Sequence, residues 1–134
     1  MVGSSLLADT HAIVWYLLDS GRLSPVAREA LELADRTGTI YISTITLVEL
    51  LYLSERDRIP QDAVLRLDAR LNSGAGAFAL APLDRATAIA MRQIPRDIVP
   101  DMPDRIIAAT GLALGLPIVT RDWRIQQAPI QTIW

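Results

Sequence analysis

Four carboxylates in this 134-residue chain, Asp9, Glu49, Asp104 and Asp122, stand where they could jointly hold a divalent cation. Asp9 directly follows a short apolar stretch, and Asp122 lies just beyond another that ends at Thr120. Asp104 opens a helical pattern entered from a segment rich in proline and aspartate. Glu49 has Leu47, Val48, Leu50 and Leu51 around it, with Ile45, Thr46, Tyr52 and Leu53 one helical turn away, and no basic residue among them. A solvent-facing glutamate normally has polar companions on its stripe. A buried, unpaired one is costly unless something neutralises it, and a bound cation would. With Cys 0 and His 1, the available donors are hard oxygens, which favour Mg²⁺ or Mn²⁺ over zinc. Such an ion serves metal-assisted hydrolysis. Without it, crowded carboxylates repel, so at least one should titrate above its ordinary range.

Each aspartate alone also has an ordinary structural explanation. Asp9 can cap a helix, Asp101 and Asp104 have the spacing of a capping pair, and Asp122 can be a turn residue. Those roles require neither a common edge nor a glutamate among leucines, so the four together carry more weight than any one. Arg105 and Arg121 flank the acids and suit either phosphate contact or salt bridges. His11 follows Asp9 closely, but a lone histidine beside acids more often makes a structural hydrogen bond than it catalyses. Trp15, Trp123 and Trp134 could stack on bases, although Trp15 lies in an apolar helix that points to the core or an interface.

The elements that must position these residues alternate between strand and helix. Strands are expected at residues 4–8, 39–42, 78–81, 117–120 and 130–133. Helices are expected at 12–18, from Ser24-Pro25 to Gly38, after the cap Ser43 or Thr44 through Leu53, and from about Pro60 through Leu71 to a break at Gly74-Ala75-Gly76. Further helices should run from Asp84 to about Ile94, from Asp104 to Leu114 and briefly over 123–127, with residues 96–103 as a loop. That alternation predicts an α/β fold, a central parallel β-sheet flanked by helices on both faces. In such a sheet, strand C-termini and the following helix starts share one edge, the edge where ligands bind.

Composition sets the frame. The whole chain, residues 1–134, reads as one domain, with a hydrophobic fraction of 51% and mean hydropathy +0.27. No apolar run is long enough to span a bilayer and no secretory leader is evident, so a cytoplasmic protein without membrane contact is expected. Net charge is -2 and every basic residue is arginine. The absence of lysine argues against Walker-type phosphate loops, Schiff-base chemistry and the receiver or haloacid-dehalogenase phosphotransfer families, which rely on one. A weakly acidic chain binds nucleic acid only through a local basic patch or bound cations.

Four segments carry a family resemblance. Leu7-Ala8-Asp9-Thr10-His11-Ala12, Ser43-Thr44-Ile45-Thr46-Leu47-Val48-Glu49-Leu50, Asp101-Met102-Pro103-Asp104-Arg105-Ile106-Ile107-Ala108-Ala109-Thr110 and Gly115-Leu116-Pro117-Ile118-Val119-Thr120-Arg121-Asp122 resemble, in order and spacing, the successive motifs of PIN-domain proteins. The likeness is to the VapC toxins of bacterial toxin–antitoxin pairs in particular. It covers essentially the whole chain and says little about residues 59–83. The resemblance implies a Mg²⁺- or Mn²⁺-dependent endoribonuclease with Asp9, Glu49, Asp104 and Asp122 as metal-binding acids and Asp101 and Thr120 as accessories. It also implies an RNA substrate, a cognate antitoxin as partner and a homodimer. The apolar helices at 12–18 and 44–53 are the expected partner surfaces. The alternatives are a catalytically silent PIN-fold interaction module, which would need no acids, and an RNA-maturation nuclease that is not a toxin.

Overall fold

The computed structural model describes residues 3–74 and 76–134, so the expected break at Gly74-Ala75-Gly76 falls partly outside the described residues. Five short strands form one sheet: β1 (Leu6–Ala8), β2 (Ile40–Ser43), β3 (Phe78–Ala81), β4 (Ile118–Val119) and β5 (Thr132–Ile133). Their order is β3-β2-β1-β4-β5 and every pairing is parallel. Around it lie α1 (Thr10–Leu17), α2 (Pro25–Thr37), α3 (Thr44–Glu55), α4 (Gln61–Asn72), α5 (Arg85–Ala90), α6 (Met102–Leu114) and α7 (Trp123–Gln126). No helix among the described residues is long and apolar enough to cross a membrane.

Side chains alternate across the sheet and build two cores. Leu6, Ala8, Ile40 and Ile42 pack with Ile13, Leu31 and Leu67 on one face. Leu7 and Ile118 pack with Ile107, Ala108 and Ile125 on the other. The second core brings α6 close to the sheet because Gly111 has no side chain: a Cβ there would lie 2.6 Å from Ile118 Cγ1 and Cδ1. The αα layers on both faces and the all-parallel sheet are the architecture expected from the alternation of strand and helix.

Element ends differ from the sequence expectations, and capping explains the earlier starts of α1 and α6. The first strand begins at Leu6 rather than residue 4, and α1 begins at Thr10 rather than residue 12, because Asp9 accepts a hydrogen bond from Thr10 N at 2.7 Å and starts the helix at once. The stretch expected as loop to residue 103 ends earlier. Asp101 caps α6, Met102 is its first residue, and Pro103 falls in the first turn, where its missing N–H has no helical partner to lose. Beyond α5, the segment expected to stay helical to Ile94 tightens into a 3-10 turn at Met91–Gln93. Strand β4 keeps only its central two residues and β5 only its last two.

Candidate metal centre and its cleft

The register of β1 against β4 places the first acid. Ala8 pairs with Val119, so the residues just past both strands, Asp9 and Thr120, leave the sheet side by side. Asp9 N donates to Val119 O at 2.9 Å. Thr120, fully buried, donates its hydroxyl to Asp9 Oδ2 at 2.6 Å, while Thr10 N binds Oδ1. Both oxygens of Asp9 are thus fixed, and its side chain is held in one orientation. Asp9 is only 7% exposed, and burial pushes its carboxyl up from the ordinary range, against the opposing pull of the Thr120 and Thr10 hydrogen bonds.

The other aspartates reach the same cleft from helix starts. Asp104 lies in the first turn of α6, and Asp122 caps α7 through Oδ1, which accepts from Arg124 N at 2.8 Å and Ile125 N at 3.3 Å. A cleft of about 660 Å³ is lined by Asp9, Asp101, Asp104 and Asp122 on its acidic side. Asp104 is the most perturbed group. Burial first, then the charges of Asp122, Asp9 and Asp101, with a hydrogen bond to Asp122, push its carboxyl up to about 8. The structural and functional explanations of these aspartates therefore coincide: Asp9, Asp101 and Asp122 each cap a helix, and each faces the cleft.

Glu49 corrects the expectation of a buried, unpaired carboxylate. It is half-buried on α3, and Val48 and Leu51 beside it are exposed. It accepts from Thr10 Oγ1 at 2.8 Å, and that hydroxyl also lies 3.1 Å from Thr46 Oγ1. Burial and the charges of Asp9 and Asp101 still raise its carboxyl, with Thr10 acting the other way. Thr10 thus joins Asp9 to Glu49, a role the sequence reading missed. The available signal was a threonine in the position after Asp9, but its partner lies 39 residues away.

Arg105, expected beside the acids as a phosphate contact, does not line the cleft. Its Nε and one terminal nitrogen donate to the carbonyls of Ile94 and Met91, each at 2.8 Å, tying α6 to the turn after α5. Arg121 does line it, with its guanidinium 4.7 Å from the centre of the Trp15 ring. His11 lines it too, exposed, its ring 5.8 Å from that of Trp15. The helix expected over residues 12–18 turns most of its apolar side chains inward, whereas α3 exposes Val48, Leu51 and Tyr52.

Chemically, the donor types fit a hard cation: oxygen atoms only, at least partly buried at Asp9, Asp104, Asp122 and Glu49, with hydrogen bonds orienting Asp9, Glu49 and Asp122. Among the described residues no three carboxylate or imidazole groups are already arranged to hold a metal ion. What the four aspartates share is the lining of one cleft, and a hard cation there would draw its remaining ligands from water and substrate oxygens.

Comparison with known proteins agrees with this arrangement. The PIN domain family pattern matches residues 6–131. Ribonuclease VapC22 of Mycobacterium tuberculosis is 31% identical over 136 residues, covering 98% of this chain and 99% of that protein. Among solved structures, VapBC2 from Rickettsia felis bound to a promoter DNA fragment superposes with a TM-score of 0.71 at 18% identity, covering 96% of each chain. DNA-bound VapBC from Salmonella typhimurium does so with 0.70 at 21%, again over 96% of each. A parallel sheet whose one edge gathers capping aspartates, and a sequence pattern that runs nearly end to end, lead to one assignment: the chain belongs to the PIN-domain family.

Proposed function

We propose that the protein is a metal-dependent endoribonuclease, the toxin of a VapBC-type pair. The observation that carries this is the gathering of Asp9, Asp101, Asp104 and Asp122 in one cleft, where burial first and then the neighbouring charges push the Asp104 carboxyl up to about 8, a strain that a cation relieves. The likeness to Ribonuclease VapC22 along the whole chain supports the RNA substrate. The VapBC complexes among the structural neighbours support an antitoxin partner.

In this reading Asp9, Asp104, Asp122 and Glu49 hold Mg²⁺ or Mn²⁺, and Asp101 and Thr120 serve beside them. What a bound ion of this kind supplies is a more acidic water and neutralisation of charge at the phosphoryl oxygen. The chain's own contribution is orientation. Thr120 and Thr10 fix the Asp9 carboxylate, Thr10 also fixes Glu49, and Arg121 offers its guanidinium to phosphate at the rim. The exposed Val48, Leu51 and Tyr52 on α3 suit a subunit interface, and the reading takes the protein to act in the cytoplasm as a homodimer.

The test is cleavage of a mixed RNA pool by partner-free protein, with Mg²⁺ or Mn²⁺ against EDTA. Asp9→Asn and Asp104→Asn should each lose at least about 100-fold in rate, as expected for removal of a metal-binding charge. Full activity in EDTA, or in Asp9→Asn, would overturn the assignment.

A further inference from the structure

Beside the acids, the cleft is lined by aromatic rings and arginines. Trp123 directly follows Asp122, lines the cleft and is 60% exposed, unusual for the largest side chain in a small domain. Arg124 lies over it with its guanidinium 4.7 Å from the ring. Arg121 is likewise set over Trp15. Neither arginine forms a salt bridge among the described residues, although four carboxylates share their cleft. Both cations are therefore held by rings and left available to an anion.

The segment carrying Trp123 is firmly anchored. Asp122 caps α7, Ile125 is fully buried beneath it, and Gln126 Nε2 donates to Thr120 O at 3.0 Å. The other two tryptophans differ. Trp15 is 8% exposed, and Trp134 packs edge-on against it with centroids 5.9 Å apart. Only Trp123 among them offers an open ring at a fixed distance along the chain from a candidate metal-binding acid.

We propose that Trp123, backed by Arg124, is a stacking platform for an unpaired base flanking the scissile phosphate, with Arg121 on the adjoining phosphate. The substrate class is single-stranded RNA, because a base within a duplex has no free face to present. The proposal rests on the ribonuclease reading and names the subsite of that same cleft.

The test measures binding of an unstructured 12-nucleotide RNA, and of a fully paired duplex of the same length, to partner-free protein with Ca²⁺ in place of Mg²⁺. Trp123→Ala should weaken single-strand binding by about 5- to 100-fold, the range for loss of one base–aromatic stack. Trp123→Phe should restore most of it, and duplex binding should be indifferent to all three forms. Equal single-strand affinity for wild type and Trp123→Ala would overturn the platform, as would a loss shared equally by the duplex. So would an effect of Trp123→Ala confined to capture of a protein partner. Cleavage separates the two readings. Wild-type and Trp123→Ala enzymes cutting the single strand with the same KM would leave the nuclease standing and remove the platform. Trp123-dependent binding without any metal-dependent cleavage would do the reverse.

Discussion

The Thr120 hydroxyl spends its one proton on Asp9 Oδ2, and that choice has a measurable signature. The bond lowers the Asp9 carboxyl against the upward push of burial. Thr120→Val keeps the shape but removes the donor, so Asp9 should hold its proton to higher pH. Cleavage is expected to fall about 10- to 100-fold at neutral pH, as for other partners behind metal ligands, and its acid limb should move to higher pH. A merely structural role would lower the rate without moving the limb. Asp104 offers a second pH-dependent effect. Its pKa is raised in the folded protein, to about 8, so the folded state binds this proton more tightly than the unfolded chain does. In EDTA, the contribution of Asp104 should be most favourable below its unfolded pKa near 4 and should be lost as pH climbs toward 8. Asp104→Asn should therefore be the more stable protein at pH 8, by about 1–2 kcal/mol once solvent screening of a half-exposed group is allowed for. The gap should narrow toward pH 5. Urea unfolding of both proteins across that range checks it.

Among the elements, α7 shows how one residue serves two purposes. Asp122 caps the helix and faces the acidic cleft. Asparagine caps about as well as aspartate, whereas alanine does not. Asp122→Asn should keep wild-type stability and lose cleavage, while Asp122→Ala should lose cleavage and about 1 kcal/mol of stability, read from denaturation midpoints. The same duality governs what the sequence made legible. Strand–helix alternation was enough to set Asp9, Asp104 and Asp122 at one edge, because a parallel sheet fixes that edge whatever the exact element ends. Element ends were less visible: Asp101 starts α6 earlier than the prolines suggest, since proline is tolerated in a first turn. The rotation of a helix was not visible at all. Arg105 follows Asp104 in sequence, yet one residue along a helix turns a side chain by about 100°, and its guanidinium finds the Ile94 and Met91 carbonyls instead. Nor could Glu49 be matched with Thr10, because nothing local marks a partner 39 residues away.

For the whole molecule, charge is the governing quantity. Net charge is -2, so attraction to RNA cannot come from a broad basic surface. Arg121 and Arg124 supply the cations in the cleft, and with Arg124 backing the Trp123 ring, binding through the one phosphate at Arg121 gives a shallow salt dependence. The slope of log K against log salt should be about −0.7, the value for one phosphate on a single strand. A titration of binding against KCl measures it, and a slope several times steeper would mean a basic surface elsewhere on the molecule. Direction in the sheet matters as much as charge. Because every strand runs the same way, α1, α6 and α7 all begin at the cleft, and the positive ends of their aligned peptide dipoles meet there. For the two longer helices this amounts to about half an elementary charge each. No exchange of side chains can remove it, since it belongs to the backbone. Replace the acids with neutral residues, and the hollow they now make negative would turn into a receptor for anions without any change of fold.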